Sequence, residues 1–490
     1  MTSRLKSLLF ISGIFTSLII TACGGGSSSI GGIDGSGAPA VAGTISTGAI
    51  NGFGSVIVNG VRYNSDKAKI LVNDQTATED NLRTGYQVKI TGHLNTDGSS
   101  VADTIEFTPN LIGTISQIDL SAQQLTILGQ QVSITNETLF DAAIKPNFLS
   151  GLKVGDTVLV SGFTDDKGLI TATRVELAAT TNRQIMGYVS NLTPALFTFT
   201  LRGQMVNYSA ASLNNFSTNS IAANNLVVVS GTLDDKGVLQ AKTVNKINNT
   251  FGSDVKTVET EGFITRYQSA SDFDVAGVTW TTNAQTSFEN GTNTNLAQGV
   301  ALSIKGELAA SGQLVAQKVE FKKISVNEIA GEVTSVTVLT SGIVTTGSLQ
   351  ISGTTIQTNA KTLFEDKGSS SLKRFNFTSI NLGDFLKVSG YNNEGTFIAT
   401  KIEREDIQKE NATELKIVGI VLGIGSHNFT LYGRTIVTNG QTEFKDTKGD
   451  KISETQFYLL ALGQRAKVEG VLKNGIFTAT KIELTEAKND

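Results

Sequence analysis

The clearest copy of a recurring unit spans residues 113–176 and reads GTISQIDLSAQQLTILGQQVSITNETLFDAAIKPNFLSGLKVGDTVLVSGFTDDKGLITATRVE. Approximate copies along the 490-residue chain begin at Gly43, Gly113, Gly187, Gly262, Gly331 and Gly419. Internal repetition decides architecture before single residues do, and it overrides a domain count taken from length alone. The chain is therefore predicted to be a tandem array of six small modules.

Apolar and polar residues of the unit alternate as they do in half-buried β-strands. Strands are expected at 113–118 and across 125–134, where Gly129 relieves a tight bend. A third short strand carries a Thr-x-Phe triplet, and its phenylalanine is predicted to lie in the core. The triplet occurs at Thr138 and Phe140, Thr286 and Phe288, Thr362 and Phe364, and Thr442 and Phe444.

The second half of the unit predicts a short helical turn capped by glycine at 152–155, followed by a strand that ends at Gly162. An Asp/Gly turn then closes a hairpin onto a last strand of the form Ala-Thr-Arg/Lys-Val/Ile-Glu. This element order matches a five-stranded OB-like barrel. The predicted class is all-β, with tandem five-stranded OB-like β-barrel modules that each carry a short helix, and the 50 glycines of the chain agree with it.

Predicted boundaries follow from the repeat and from the composition of the first residues. They are 1–22 for a lipoprotein signal peptide, 23–40 for a lipidated cysteine and flexible tether, and 41–109, 110–180, 181–250, 256–323, 325–404 and 414–486 for the modules. Residues 335–347 and 447–458 are interpreted as loop insertions, and the charged joint 404–414 as a hinge. Whether the modules form a rigid rod or flexible beads is left open.

Four phrases of the repeat resemble a known family. The opening Gly-x-Ile, the Thr-x-Phe, the Gly-x-x-Val-x-Val-x-Gly and the closing Ala-Thr-Lys/Arg-Ile/Val-Glu are similar to DUF5666, a bacterial envelope repeat of unknown function. The first copy departs from this pattern with Lys69-Ile70-Leu71, and the third copy lacks both the triplet and the closing Val-Glu. The resemblance implies a small β module in exported proteins and transfers no catalytic residue.

The first residues are interpreted as a targeting segment. Basic Arg4 and Lys6 precede an apolar run at 8–20, and Ile20-Thr21-Ala22-Cys23 fits the bacterial lipobox. Cys23 is therefore predicted to be the lipidated first residue of the mature protein, carrying a fatty acid such as palmitate and anchoring the chain to a membrane. A plain secretory signal or a transmembrane anchor with an incidental cysteine is the alternative. The chain has no other cysteine, which excludes an intramolecular disulfide.

A Gly/Ser-rich stretch at 24–40 is expected to act as a flexible tether. Gly24 follows the lipidated cysteine, and by resemblance to sorting in enterobacteria this favours the outer membrane. The predicted location is the bacterial cell envelope, lipid-anchored to the outer membrane. The sequence leaves open whether the modules face the periplasm or the cell surface.

Candidate chemistry in the repeats is sparse. His93 and His427 occupy non-equivalent positions without a nucleophile or carboxylate nearby in the sequence, and both are interpreted as exposed loop residues. No catalytic or phosphate-binding motif is present. The chain is thus predicted not to be an enzyme, to need no cofactor and to hold no structural metal. The pairs Asp165-Asp166 and Asp234-Asp235, and Asp446 with Asp450, are interpreted as hairpin turns, with weak cation binding left open.

Charge and aromatic content indicate which ligand classes the chain could bind. A net charge of -4 argues against nucleic-acid binding, which needs a basic groove with stacking aromatics. Carbohydrate platforms favour exposed tryptophan and tyrosine, but Trp280 is predicted to be core, with Tyr63 and Tyr208 at roughly the same strand of other copies. The Thr/Lys/Arg/Glu face of the last strands is interpreted as solvated.

The favoured function is a non-enzymatic, lipid-anchored envelope protein whose modules act as a spacer and binding array for an unknown ligand. The alternative is an architectural periplasmic lipoprotein that binds peptidoglycan, another glycan or an envelope protein complex, and a cell-wall enzyme ranks below both. The sequence leaves open the ligand-binding residues and the oligomeric state.

Overall fold

The computed structural model describes residues 43–485, apart from positions 121, 146–147, 217–219, 249–250, 253, 324–326, 341–343, 352, 369–371, 394, 406–413, 432–433 and 474–475. The predicted signal peptide, the lipidation site Cys23 with Ile20, Thr21 and Ala22, and the tether lie outside the described residues. Most of the predicted hinge at 404–414 lies outside them as well.

Strands make up nearly all of the regular structure in modules 1 to 3, as the alternating residues predict. Module 1 contains β1 (Gly43–Phe53), β2 (Val56–Val58), β3 (Val61–Asn64), β4 (Lys69–Val72), β5 (Gln75–Ala77), β6 (Gln87–Leu94) and β7 (Ser100–Phe107). Module 2 contains β8 (Leu111–Asp119), β9 (Gln124–Ile127), β10 (Gln130–Ser133), β11 (Leu139–Phe140), β12 (Thr157–Thr164) and β13 (Ile170–Leu177). Module 3 contains β14 (Arg183–Thr193), β15 (Thr198–Leu201), β16 (Gln204–Asn207), β17 (Ser212–Asn214), β18 (Leu226–Leu233) and β19 (Leu239–Lys246).

Modules 4 to 6 repeat the same order of elements. Module 4 contains β20 (Val255–Ser269), β21 (Asp272–Val275), β22 (Val278–Thr281), β23 (Ser287–Glu289), β24 (Ala301–Leu308) and β25 (Leu314–Phe321). Module 5 contains β26 (Asn327–Thr340), β27 (Thr346–Ile351), β28 (Thr354–Gln357), β29 (Leu363–Asp366), β30 (Phe385–Asn393) and β31 (Thr396–Glu405). Module 6 contains β32 (Glu414–Gly425), β33 (Asn428–Leu431), β34 (Arg434–Val437), β35 (Glu443–Lys445), β36 (Lys451–Ile452), helix α1 (Glu454–Leu460), β37 (Arg465–Lys473) and β38 (Ile476–Thr485).

Each module closes a five-stranded barrel. In module 2, β8 pairs with β9, β9 with β10, β10 runs parallel to β13, β13 pairs with β12, and β12 returns to β8. The same circuit recurs in the other modules, with the parallel contact always between the third and the last barrel strand. Closure of the barrel leaves its sheet without free edges. One face of each barrel strand then points toward the buried core. The predicted all-β class with small five-stranded barrels is confirmed.

The Thr-x-Phe strand lies outside this circuit, contrary to the prediction that it is the third barrel strand. In module 2 it is β11, which runs parallel to β13 as an extra strand. Its phenylalanine fills the core as predicted in three copies (Phe140, Phe364 and Phe444), while Phe288 is half-buried. The threonine has a role as well, because the buried Thr138 hydroxyl donates to the Ala172 carbonyl at 2.7 Å. Thr286, Thr362 and Thr442 make the same bond.

The predicted short helix is a single 3-10 turn in four modules, at Glu79–Asn81, Leu149–Gly151, Asn293–Asn295 and Phe377–Ser379. Only module 6 has an α-helix here among the described residues, and it is α1 with Ser453 as its N-cap. The following glycine does not cap the helix. In module 2, Gly155 takes a φ of 98° in the next turn, a conformation that glycine adopts without steric cost.

The strand predicted to end at Gly162 continues through it to Thr164. The register shifts at this glycine, so it marks a β-bulge inside the strand, and a Cβ there would lie 2.3 Å from the Thr171 carbonyl oxygen. Bulges of this kind bend a strand sharply enough to turn a barrel corner. The repeated glycine therefore reflects close backbone approach and not the end of a strand.

Modules are joined in pairs through their first strands. β1 runs parallel to β20, while β8 and β14 are antiparallel, as are β26 and β32, so each of three sheets passes through two modules. These strands begin before the glycines that open most copies, because their early residues pair with the neighbouring module. Neither predicted loop insertion is a simple loop, since residues 335–340 extend β26 and the second insertion includes β36 and part of α1.

No helix in the described part of the chain is long and apolar enough to cross a membrane.

Candidate functional site

A row of polar side chains crosses one outer face of module 4. Register places Ser46 of β1 beside Glu259 of β20, Glu259 beside Lys305 of β24, and Lys305 beside Lys318 of β25. Ser303 pairs in turn with Glu320, two residues further along β25. Because alternate residues of a strand share a face, these groups point away from the barrel core whose other face holds Trp280.

Modules 1 and 5 cover part of this row and border a half-open cavity of about 200 Å³. Its lining residues come from three modules, and all except Val61 have polar or charged side chains: Asn59, Val61, Glu259, Ser303, Lys305, Lys318, Glu320 and Lys361. We call it the three-module cavity. Lys361 reaches it from the turn before the Thr-x-Phe strand of module 5, where the Asn359 side chain accepts a hydrogen bond from the Lys361 amide at 2.9 Å.

Two lysines of the three-module cavity are ion-paired. Lys361 Nζ lies 2.7 Å from Glu320 Oε2, which links module 5 to module 4. Lys318 Nζ lies 2.9 Å from Glu289 and 3.7 Å from Glu320. Glu320 is thus neutralised from both sides, and its side chain is 24% exposed.

Glu259 and Lys305 differ from their neighbours. Glu259 is 8% exposed and forms no hydrogen bond or ion pair with any described residue. Burial raises the pKa of its carboxyl, although Lys305 and Lys361 act in the opposite direction. Lys305 is exposed and likewise has no carboxylate partner within the described ranges. The cavity therefore presents an unpaired carboxyl and an unpaired ammonium from adjacent strands.

A separate set of charges is buried where modules 2 and 5 meet. Arg174 contacts Glu176 of its own strand and donates to Glu365 of module 5 at 2.9 Å. Burial alone would lower the pKa of the Arg174 guanidinium, but the carboxylates of Glu365 and Glu176 raise it above its ordinary value. Arg174 thus stays charged although it is only 7% exposed.

Glu403 is the centre of the same interface on the module 5 side. It is 1% exposed and contacts Lys367 and Lys401, the latter at 3.1 Å. Burial alone would raise the pKa of Glu403, yet Lys401, Lys367 and Lys387 together lower it to about 2. Lys401 also donates to the Thr138 carbonyl of module 2 at 3.4 Å.

These contacts correct the interpretation of the last strands as solvated faces. Arg174, Glu176, Lys401 and Glu403 belong to the repeated Arg/Lys-x-Glu phrase, and in modules 2 and 5 other modules contact that phrase through Glu365, Tyr86 and Thr138. In module 6 the equivalent Lys481 and Glu483 stay half-exposed. The sequence of one copy does not show which of its faces another copy will cover. Where a face is covered, its charged side chains need oppositely charged partners, as they have here.

The two histidines have partners that their sequence neighbours did not suggest. His93 lies in strand β6 and not in a loop, with Nδ1 3.0 Å from Asp103 of β7. His427 does lie in an exposed turn, with a φ of 53°, and contacts Glu454 of α1 at 3.0 Å. Each histidine therefore has a carboxylate partner, contrary to expectation.

The aspartate pairs occupy hairpin turns, as predicted. Asp165 Oδ1 accepts from the amides of Lys167 and Leu169, and Asp234 repeats this pattern with Lys236 and Val238. The Asp446 carboxylate accepts from the amides of Lys448 and Asp450 in the same way. Across the described residues, no group of three or more His, Cys, Asp or Glu side chains could hold a metal ion.

Trp280 is completely buried, as predicted, and Tyr63 of β3 is its equivalent in module 1. In module 3 the equivalent residue is Val206, which pairs with Leu239 as Trp280 pairs with Leu314, so Tyr208 lies two residues beyond it. No carbohydrate platform is formed by these three aromatic residues together.

The charged residues of the three-module cavity were not anticipated, but the sequence carries one signal for them. At the position of Lys305, directly before the bulge glycine, other copies have a small hydroxyl residue in four cases: Thr91, Ser161, Ser230 and Ser389. A lysine replaces that hydroxyl in module 4, where it faces Glu259 across the strand pair. A departure from the repeat pattern thus marks the site.

Comparison with known proteins gives one result at the level of families. No curated protein matches the chain significantly. The profile of a domain of unknown function, DUF5666, matches six times, at residues 42–106, 112–176, 186–245, 261–320, 330–403 and 418–483. These matches cover more than half of the chain and include every barrel, so the protein belongs to the DUF5666 family as a six-copy tandem repeat.

Proposed function

We propose that this protein is a non-enzymatic, lipid-anchored protein of the bacterial cell envelope whose six modules form a ligand-binding body. The observation that carries the proposal is the order of features in the sequence. Basic residues, an apolar run, the lipobox Ile20-Thr21-Ala22-Cys23 and a Gly/Ser tether directly precede the β modules. A tether of this composition would hold a folded body away from the membrane to which Cys23 is attached.

The packing of the modules supports a ligand-binding role for them more than a role as a simple spacer. The described residues belong to a single compact unit, and modules 2 and 5 share buried ion pairs. A spacer needs reach but no such interfaces. Packed modules create cavities between barrels, and the three-module cavity is lined by residues from modules 1, 4 and 5.

The arrangement of polar groups supports the non-enzymatic part of the proposal. His93 and His427 lie in modules 1 and 6, and neither lines the three-module cavity. The cavity combines lysines and carboxylates without a serine-histidine or cysteine-histidine pair among its lining residues. Such a set is suited to holding a charged ligand by ion pairs and hydrogen bonds.

The anchor is tested by changing Cys23→Ala in the full-length protein and following incorporation of a labelled fatty acid. We expect labelling to be lost and an unprocessed precursor to accumulate. Ser27→Ala in the tether is the matched control and should be labelled normally. Labelling of the Cys23→Ala protein at the wild-type level would contradict the proposal.

Protease treatment of intact and lysed cells, with a tag placed after Asp490, determines which side of the outer membrane the body occupies. Loss of the tag from intact cells would indicate surface display and direct the search toward extracellular ligands. Protection until lysis would favour the alternative of a periplasmic lipoprotein that contacts peptidoglycan or an envelope complex. Fractionation of the tag with the cytosol would contradict both forms of the proposal.

A further inference from the structure

We propose that the three-module cavity binds an anionic, hydroxyl-bearing molecule the size of one sugar ring, such as a monosaccharide that carries a carboxylate. The proposal rests on the binding role proposed above and specifies its ligand class. It depends on the size of the cavity and on Glu259 and Lys305, which have no ion pair with a described residue.

The size of the cavity limits the ligand. A cavity of about 150 Å³ is known to admit a six-membered aromatic ring, so the roughly 200 Å³ of this half-open cavity accommodates a single ring with substituents. Pockets for drug-sized ligands are larger, at about 300–1,000 Å³. An oligosaccharide would therefore place only one of its units inside the cavity.

One lysine of the cavity without an ion pair favours an anion. Lys305, Lys318 and Lys361 line it together with Glu259 and Glu320, and Glu289 pairs with Lys318 at 2.9 Å, so Lys305 is the lysine left without an ion pair in the described part of the chain. Glu320 already contacts both Lys361 and Lys318, whereas Lys305 has no carboxylate partner among the described residues. A ligand carboxylate near Lys305 would gain a charge-assisted hydrogen bond. A metal ion or an organic ammonium would instead leave the Lys305 ammonium without a partner.

Glu259 adds the requirement for hydroxyl groups. The Glu259 side chain is 8% exposed, and its carboxyl oxygens form no hydrogen bond with a described residue, so they can accept hydrogen bonds from a ligand. Ligand hydroxyls that donate to Glu259 would supply the hydrogen bonds that its carboxyl lacks. A simple anion such as phosphate would satisfy Lys305 but place its own charge beside the carboxyl. Ser303 and Asn59 offer further polar atoms around the same space.

The test uses the full-length lipidated protein in detergent and measures binding of D-glucuronate by calorimetry, with D-glucose, acetate and inorganic phosphate as comparison ligands. We expect glucuronate to bind at least tenfold more tightly than any of these three. Glucose lacks the carboxylate, and acetate and phosphate lack the ring hydroxyls. Equal affinity for phosphate or acetate would overturn the proposal in favour of a plain anion site, and equal affinity for glucose would overturn the role of Lys305.

Two substitutions and one control test whether glucuronate binds in this cavity. Lys305→Gln and Glu259→Ala should each weaken glucuronate binding at least tenfold, and Glu259→Ala should leave phosphate binding unchanged or strengthen it. Lys242→Gln changes an exposed lysine of module 3 and should have no effect on binding. Unchanged thermal unfolding of the variants shows that the fold is kept. Glucuronate binding that is insensitive to both cavity substitutions would overturn the assignment.

The outcomes separate this inference from the proposed function. Absence of glucuronate binding in a protein that is still lipid-labelled at Cys23 would overturn the ligand assignment and leave the envelope anchor intact. Glucuronate binding in a protein that is never labelled would support the cavity and contradict the anchor.

Discussion

Arg174 of module 2 donates a hydrogen bond to Glu365 of module 5 at 2.9 Å, although 191 positions separate the two residues in the chain. Each residue lies in a strand at the surface of its own barrel, where alternation alone would assign it to solvent. Their contact buries both side chains, which are 8% and 14% exposed. The relationship shows that copies distant in sequence pack directly against each other.

We predict that Arg174→Met destabilises the protein by about 3–5 kcal/mol, because it leaves the buried carboxylate of Glu176 without its cation and Glu365 with only Lys367, at 3.5 Å, among the described residues. Urea unfolding followed by circular dichroism measures the change. Lys481→Met is the matched control, since Lys481 occupies the same position of the repeat in module 6 but is half-exposed. It should change stability by no more than about 0.5 kcal/mol. Equal effects of the two substitutions would contradict the buried interface.

Glu403 makes a pH-dependent contribution to stability. Its pKa falls from an ordinary 4.5 to about 2 in the folded protein, where Lys401, Lys367 and Lys387 outweigh the effect of burial. Because the folded-state pKa is depressed, the contribution is complete above about pH 4.5 and is lost as the pH falls toward 2. The shift corresponds to roughly 3 kcal/mol.

We therefore expect Glu403→Gln to be markedly less stable than the wild-type protein at pH 7, and this difference to shrink as the pH falls from 4.5 toward 2. Urea midpoints measured across this range provide the test. Glu483→Gln removes the equivalent, half-exposed carboxylate of module 6 and should run parallel to the wild type. A constant gap between Glu403→Gln and the wild type at all pH values would argue against a depressed pKa.

Two glycines of module 3 should respond differently to alanine. A Cβ at Gly231 would lie 2.0 Å from the Gln240 carbonyl oxygen, whereas a Cβ at Gly187 would meet Leu201 at an ordinary 3.6 Å. Gly231→Ala must displace backbone at the bulge and should cost about 1–3 kcal/mol. Gly187→Ala should stay within about 1 kcal/mol of the wild type, since it only restricts the unfolded chain. Thermal unfolding compares the two, and a similar loss for both would exclude close approach as the reason for Gly231.

Local structure was predictable from the sequence where a pattern repeats. Alternating apolar and polar residues predicted the strand around Ile115 and the core position of Trp280, and turn-forming residues predicted the turn at Asp165. All of these signals act within one module. The bulge at Gly162 was misinterpreted as a strand end because a glycine in a strand signals both. Periodicity could not separate these two meanings.

The candidate site was less predictable, because it depends on contacts between modules. Glu259 and Lys305 face each other within module 4, but Lys361 arrives from module 5 and Asn59 from module 1. No local pattern specifies which barrels meet. A lysine in place of the small hydroxyl residue found in four other copies was the available signal, and it indicates a special position without indicating its partners.

Removal of whole modules distinguishes a packed body from independent beads. Module 6 joins module 5 through the pairing of β26 with β32 at Glu328 and Ile329, whereas module 5 also contacts modules 1, 2 and 4. A chain ended after Glu405 should therefore keep the amides of β13 as protected from hydrogen exchange as in the full protein. Deletion of residues 325–405 should accelerate their exchange at least tenfold, because Arg174 loses its contact with Glu365 of module 5. Independent modules would leave β13 equally protected in both deletions, and that result would contradict the packing on which the three-module cavity depends.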